Sequence, residues 1–317
     1  MSSQALYRQL LRIRRIEEAI AARYAAQQMR CPVHLSIGQE AVAVGVCSAL
    51  ERRDSVFSNH RAHAHYLAKG GDAVAMLAEI YGLENGCCRG VGGSMHMIDR
   101  QAGFNGAVPI VGATVPLAVG VAWAARLRGE DQVSTAFFGD GTFEEGVVHE
   151  SLNFAILHRL PVLFVCENNQ YACYTALAER QPPRPLHAVA EAHGCRVLIA
   201  DGNDVEAVYQ AAVEAVRHLR AGGAPVFLEC MTYRWREHCG PNYDDDLGYR
   251  PSGELEAWEE KCPLGRLARR FAESEAGRIF MVHAEQEVAA EVEAMFAQAL
   301  SGQLPRSQDL EGYVYAK

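Results

Sequence analysis

The chain has 317 residues, enough for one large α/β domain or two ordinary ones around a buried core. With 49% hydrophobic and 22% charged residues it reads as a soluble globular protein, and a net charge of −9 without a basic stripe disfavours nonspecific nucleic-acid binding. Early charges (Arg8, Arg12, Arg14, Arg15, Glu17, Glu18) do not have the shape of a signal peptide, and ten scattered cysteines without a CxxC pair point to free thiols in a cytoplasmic protein.

Leu6, Leu10, Ile13, Ile16 and Ile20 recur at helical spacing. A loop around Cys31-Pro32 precedes a helix predicted over 39–50, and a short strand over 54–58 leads into the histidine-rich NHRAHAHY. Asp72 is placed to cap a helix running to Tyr81, after which ENGCCRGVGGSMHM reads as loop. Residues 107–125 carry no charge over a length that can span a bilayer. Yet Pro109, Gly112, Pro116 and Gly120 break the run, and neither an aromatic belt nor a second span accompanies it; a buried core or a subunit contact is expected.

From residue 133 the pattern is regular. Apolar strands are predicted over 133–138, 161–166, 196–200 and 225–230, alternating with helices carrying Phe143 to Ile156 and Val205 to Leu219. That alternation implies an α/β fold, a parallel sheet with helices on both faces. Beyond Arg250 only helices follow, so the chain divides into a domain over 1–250 and a C-terminal helical extension over 251–317.

Ligands of open parallel sheets bind beyond the carboxyl ends of the strands. Asp140 stands at one such end and Asn169 at the next, one crossover helix apart, which brings the two side chains close together. A carboxylate and an amide oxygen are hard ligands suited to Mg²⁺. Gly139 and Gly141 let the backbone approach a phosphate, and the amides of Gly141 and Thr142 open the following helix, where anions are favoured. Alone, Gly139-Asp140-Gly141 is a three-residue tight turn; with a helix, an apolar strand and Asn168-Asn169 it resembles the GDG…NN motif of thiamine diphosphate enzymes.

GDGTFEEG and ESLNFAILHRLPVLFVCENNQYACYT closely resemble the alpha subunit of the 2-oxo acid dehydrogenase and acetoin dehydrogenase group. HLSIGQEA, HRAHAHYLAKG, GVGGSMHM and IVGATVPLAVG match it in the same order, over residues 6 to 250. The resemblance implies a thiamine diphosphate-binding fold with thiamine diphosphate and Mg²⁺ as cofactors. It makes Asp140, Asn169 and the carbonyl of Tyr171 the metal ligands, with Gly141 and Thr142 on the diphosphate. Arg61 corresponds to the arginine that pairs with that group, and His60 beside it is typical of the acetoin-like branch. Pro109 and Val111 correspond to the backbone facing the aminopyrimidine. His34 falls on the substrate side, His63 on the diphosphate and His238 on a mobile loop near the thiazolium.

Other readings of these residues are weaker. His60, His63, His65 and His96 as a zinc set lack a cysteine or carboxylate at ligand spacing, with His65 a satisfied loop residue. GVGGSM departs from the GxGxxG register, and Asp244-Asp245-Asp246 reads as solvated loop. The resemblance further implies that the glutamate activating the cofactor comes from a separate beta subunit, so the chain is inactive alone and works in a heterotetramer of two alpha and two beta chains. Residues 107–125 would supply part of that contact.

In WREHCGPNYDDDLGYR, Glu237 stands where the family has glycine and Cys239 where it has a phosphorylatable serine; the span to Tyr249-Arg250 is also longer. The expected function is a dehydrogenase or decarboxylase acting on a 2-oxo acid or acetoin and passing the fragment to an acceptor such as lipoamide. A lipoyl acyltransferase is then a partner if the altered loop still docks it. A transketolase-like or acyloin-forming transferase subunit, and a noncatalytic partner of a beta chain, remain as alternatives.

Overall fold

The computed structural model describes residues 1–309 and 311–314. Helix α1 (Ser3–Tyr24) buries the predicted apolar stripe and is capped by Ser2 Oγ, which accepts from the Ala5 amide at 3.3 Å. α2 (Glu40–Cys47) is buried along its whole length and stops short of the predicted end. Strand β1 (Ser55–Ser58) leads into α3 (His63–Ala68), and α4 (Ala73–Ile80) is capped as expected by Asp72, which accepts from Val74 and Ala75 at 2.8 and 3.2 Å. β2 (Phe104–Ala107) was not expected, because its sequence FNGA has turn character; parallel pairing with β1 makes it a strand.

The uncharged segment forms a turn and then α5 (Thr114–Arg128), ended by Gly129 at φ 68°. No helix among the described residues is long and apolar enough to cross a membrane. Next come β3 (Ser134–Gly139), α6 (Gly146–Leu157), β4 (Val162–Asn168) and a small antiparallel hairpin of β5 (Tyr171–Ala172) and β6 (Thr175–Ala176). α7 (Leu177–Arg180), α8 (Leu186–His193), β7 (Arg196–Asp201), α9 (Val205–Arg220) and β8 (Val226–Met231) complete the alternating part. α10 (Glu254–Glu259), α11 (Pro263–Ala272) and α12 (Glu275–Ala299) follow.

Six strands form one sheet in the order β2-β1-β3-β4-β8-β7, and every pairing within it is parallel. Successive side chains of a strand point to opposite faces. Accordingly Phe137, Leu163, Val165 and Leu228 enter one apolar core, while Phe138, Phe164, Cys166 and Phe227 enter the other. The first core is covered by α1, α2, α4 and α9, the second by α5, α6 and α8. α12 lies along α1, contributing Val288, Val292 and Phe296 to the first core. Rim pairs Arg12–Glu291 (2.8 Å) and Arg15–Glu285 (2.7 Å) align the two helices, although such exposed pairs add little stability.

One local expectation fails at the site itself. The amides of Gly141 and Thr142 do not open α6: a 3₁₀ turn over Asp140–Glu144 comes first, and Glu145, extended at ψ 130°, breaks the chain direction before the helix.

Candidate active site

Gly139 and Glu167 are register partners at the ends of β3 and β4, so the two predicted motifs leave the sheet side by side. A cavity of about 410 Å³ opens there. Asp140, Gly141, Thr142, Asn169 and Tyr171 line it from the strand ends, and His34, His60, Arg61, Pro109, Val111 and His238 from the surrounding loops.

Asp140 is buried and ion-paired to Arg180 at the end of α7, which also grips Glu144. Burial raises the Asp140 pKa, and Arg180 opposes that rise. Asn169 Oδ1 accepts from the Tyr171 amide at 3.2 Å, while its amide nitrogen donates to Gln39 Oε1 at 3.1 Å. Gln170 (φ 70°) and Cys173 (φ 51°) adopt left-handed conformations on either side of Tyr171, which tightens this turn beneath the cavity. Glu254 on α10 fixes it from the far side, accepting from the hydroxyls of Tyr171 (2.7 Å) and Tyr233 (2.8 Å). At Gly141 a Cβ would stand 2.9 Å from that of Ala172, so the close approach of the turns requires glycine.

The histidine side is assembled by two loop segments lying together. The Trp235 amide donates to Ile37 O (3.1 Å) and the Gly240 amide to Val33 O (2.8 Å), which sets His238 beside His34. His60, on the turn after β1, completes a group with ring centroids 4.7 to 5.2 Å apart. Arg61 ties the segments together by donating to Leu35 O (2.6 Å) and His238 O (3.1 Å). Its guanidinium, expected on a diphosphate, thus spends donors on two carbonyls. Burial, with Arg61 as the next cause, lowers the pKa of His34 to about 2, of His60 to about 3 and of His238 to about 4. All three imidazoles are therefore neutral at neutral pH.

Three expectations need correcting. His63 does not face the cavity: it is fully buried, with Nδ1 on Glu17 (2.5 Å) and Nε2 on Ser94 Oγ (2.8 Å). Glu17 also accepts from the Ser36 amide at 2.5 Å, so this histidine braces α1, the 33–37 segment and the glycine-rich loop from behind. His65 is helical rather than in a loop; it is buried, with Nδ1 on Ser58 Oγ at 2.8 Å and its ring stacked on Phe137. Asp244 is not solvated, although Asp245 and Asp246 are exposed. It is only 1% exposed and lies between Arg234 and Arg250, each at 3.0 Å, with Tyr249 donating to it as well.

Residue-by-residue matching missed Arg180, Gln39, Met95 and Glu79. Arg180 reads as an ordinary surface charge until the chain is folded. Glu79 had a signal, a lone acid in an apolar helix before a glycine-rich stretch. Its buried carboxylate accepts from the amides of Cys88 (2.7 Å), Gly90 (2.9 Å), Gly92 (2.7 Å) and Gly93 (3.0 Å), and so shapes the loop that delivers Met95 to the cavity.

A doubly covered parallel sheet with a cavity at its strand ends fits the thiamine diphosphate-dependent oxidoreductases, the class to which the comparisons with known proteins lead. More particularly, the chain belongs to the family described as dehydrogenase E1 component, which residues 8–307 match. It is 38% identical over 312 residues to the alpha subunit of acetoin:2,6-dichlorophenolindophenol oxidoreductase from Bacillus subtilis (strain 168), covering 98% of this chain and 92% of that protein. It is 41% identical over 268 residues to the pyruvate dehydrogenase E1 component subunit alpha of Rhizobium meliloti (strain 1021), covering 84% and 76%. The acetoin-named alpha subunit of Cupriavidus necator is 38% identical over 313 residues, covering 98% and 93%.

Proposed function

We propose that this chain is the alpha subunit of an E1 enzyme that cleaves the bond beside the carbonyl of a 2-oxo acid or of acetoin and passes the fragment to an acceptor such as lipoamide. The observation that carries the reading is the meeting of Asp140 and Asn169 at adjacent strand ends, beside a glycine cradle and a wall of neutral histidines.

The residues present suit the cofactor pair. Asp140, Asn169 and the Tyr171 carbonyl offer hard oxygens, which Mg²⁺ prefers. Glycine at position 141 spares the turn a Cβ that would crowd Ala172, and His34 Nδ1 is buried without a hydrogen-bond partner. In this reading Gly141, Thr142 and Arg61 hold the diphosphate, with His60 beside them, and Pro109 and Val111 meet the aminopyrimidine. Bound there, thiamine diphosphate supplies an electron sink for the carbonyl carbon.

The chain's own part is to position and to handle protons. Arg180 pairs with Asp140, the carboxylate that would hold Mg²⁺. His34 and His238, held uncharged, can offer the substrate a hydrogen bond at a ring nitrogen. Arg61 keeps the two loop segments closed over the cavity and so limits access of water.

The partner in this reading is a separate beta subunit, in a heterotetramer of two chains of each kind. The exposed Leu117, Trp123 and Leu127 of α5, with Leu157 of α6, offer it an apolar face. The domain over 1–250 would carry the cofactor, and α12 of the C-terminal extension lies along α1. Ten free thiols suit a reducing cytoplasm.

The test is to co-express the chain with its beta partner, saturate with Mg²⁺ and thiamine diphosphate, and follow pyruvate, branched 2-oxo acids and acetoin with an artificial electron acceptor. Turnover of any of these supports the reading. Turnover that requires a second aldehyde makes the enzyme a transferase, and none with any carbonyl makes the chain a noncatalytic partner.

A further inference from the structure

Outside the cavity, Cys87 and Cys88 are nucleophiles that the function proposed above leaves unused. They occupy the two central positions of a turn closed by the Arg89 amide, which donates to Gly86 O at 2.9 Å. Their sulfur atoms lie within 4.8 Å of each other, and both residues are half-buried, so small solutes can reach the pair. Arg89 follows at φ 59°, a left-handed conformation that costs a residue with a Cβ some strain. Behind the turn the Tyr66 hydroxyl is fully buried with no hydrogen-bond partner. Burial, and then the neighbouring Cys87 thiol, raises its pKa, so this unpartnered group stands beside the sulfur pair.

The two thiols are not equivalent. The hydrogen bond between them keeps a proton on Cys87, which raises the pKa of that thiol and lowers that of Cys88. Cys88 is therefore the attacking thiol and Cys87 the resolving one. A metal ion fits the pair less well. Glu79 is also within 4.8 Å, but its oxygens already accept from the amides of Cys88, Gly90, Gly92 and Gly93. Two thiols alone fall short of the four ligands of a structural zinc site.

We propose that Cys87 and Cys88 form a reversible dithiol–disulfide site, oxidised by small disulfides of the glutathione class, whose closure unties the glycine-rich loop beside the cavity. The Cys88 thiolate attacks one sulfur of the small disulfide, expelling one thiolate and leaving a mixed disulfide on Cys88. Cys87 then releases its proton to solvent and attacks Cys88 Sγ, expelling the second thiol. Two electrons pass from the protein pair to the small disulfide, which leaves as two thiols. Adjacent Cα atoms stand about 3.8 Å apart, closer than the roughly 4.4–6.8 Å of ordinary disulfides, so the bridge is strained and readily reduced again.

In the reduced chain Cys88 Sγ donates to His96 O at 2.9 Å, tying together the two ends of the loop that presents Met95 to the cavity. A disulfide has no S–H to donate, so oxidation removes this tie. Resting on the function proposed above, the oxidised chain holds thiamine diphosphate more weakly.

The experiment uses the assembled alpha–beta enzyme, equilibrated with oxidised glutathione, trapped with iodoacetamide and digested for mass spectrometry. The peptide holding both cysteines should be lighter by two hydrogens and carry no alkyl group, and dithiothreitol should restore alkylation of both. Two alkylated cysteines after oxidation, glutathione retained on either, or a bridge to another cysteine such as Cys31 overturns the site. Cys87→Ser should stop at glutathione on Cys88, whereas Cys88→Ser should stay largely unmodified. Equal labelling of the two variants, or the reverse pattern, overturns the assigned roles.

Calorimetry with thiamine diphosphate in Mg²⁺ should show affinity about 2- to 10-fold weaker after oxidation, the equilibrium weight of one net hydrogen bond. Cys87→Ser/Cys88→Ser, treated in the same way, should bind equally before and after. Equal affinity of the oxidised and reduced parent disconnects the turn from the cavity and overturns that half of the proposal. The peptide masses need neither cofactor nor turnover, so failure of the site and failure of the functional reading give different results.

Discussion

Asp140 and Asn169 reach the cavity from the ends of neighbouring strands, each held by sheet hydrogen bonds and by packing on both faces. His34, His60 and His238 reach it from three loops joined by a few backbone contacts and by Arg61. The first arrangement follows from strand pairing and is rigid. The second depends on how the segment after β8 is anchored. In the function proposed above, the strand-end side would hold the constant cofactor and the loop side would meet the substrate.

On the loop side, Asp244 is one of the anchors of the segment that carries His238. Its carboxylate compensates two buried guanidiniums, those of Arg234 and Arg250. Removing one partner of a buried ion pair costs about 3–5 kcal/mol, because the remaining charge stays desolvated. Asp244→Ala should therefore lower the urea midpoint by far more than Asp245→Ala or Asp246→Ala. Equal effects for the three substitutions would show that the loop is not anchored through Asp244.

The cradle side breaks differently. Asp140→Ala removes the carboxylate proposed to hold Mg²⁺ and leaves Arg180 paired with Glu144 alone. Cofactor affinity measured calorimetrically in Mg²⁺ should fall at least about 100-fold, more than for an outer-shell change. The same affinity in Asn169→Ala and in the parent would sink the metal assignment.

Arg180 sharpens the comparison, because it belongs to the cradle yet sits on the short helix α7. Arg180→Met leaves Asp140 buried and unpaired, so the metal-free protein should melt lower than the parent. Mg²⁺ with thiamine diphosphate should then raise the melting temperature more in the variant than in the parent, since the ion takes over the compensation. An equal increment in both proteins would mean that Arg180 and the metal do not share Asp140.

How much of this was legible in the sequence follows the same division. Four strands announced themselves as apolar runs, and Asp140 and Asn169 fell at strand ends because parallel pairing leaves them nowhere else. β2 did not, since Asn105-Gly106 reads as a turn until β1 pairs with it. Asp244 stands in a run of three aspartates that looks solvated, and the two arginines that bury it lie on either side of the loop. His63 shares a motif with His60, but the start of α3 turns its ring towards Glu17. Side-chain direction on a six-residue helix, and charge compensation across a loop, are tertiary facts that spacing does not encode.

The smallest effect, and the one that sets the two sides against each other, is their response to acid. The cluster histidines have folded pKa values of about 2, 3 and 4 against an ordinary value of 6.5, with burial the main cause. As pH falls below 6.5 the unfolded chain takes up protons that the native chain refuses, so the stability these groups contribute, complete above 6.5, is lost progressively towards pH 4 and below. Asp140 has the opposite sign. Its folded pKa is raised by burial, so the native state takes up its proton first and stability from this group rises as pH falls through that value. In metal-free protein, the urea midpoint between pH 6.5 and pH 4.5 should fall less steeply in His60→Asn/His238→Asn than in the parent, by up to one proton per histidine removed. Asp140→Asn should fall more steeply than the parent over the same range. Parallel profiles for all three proteins would mean that neither side of the cavity titrates differently in the folded and unfolded chains.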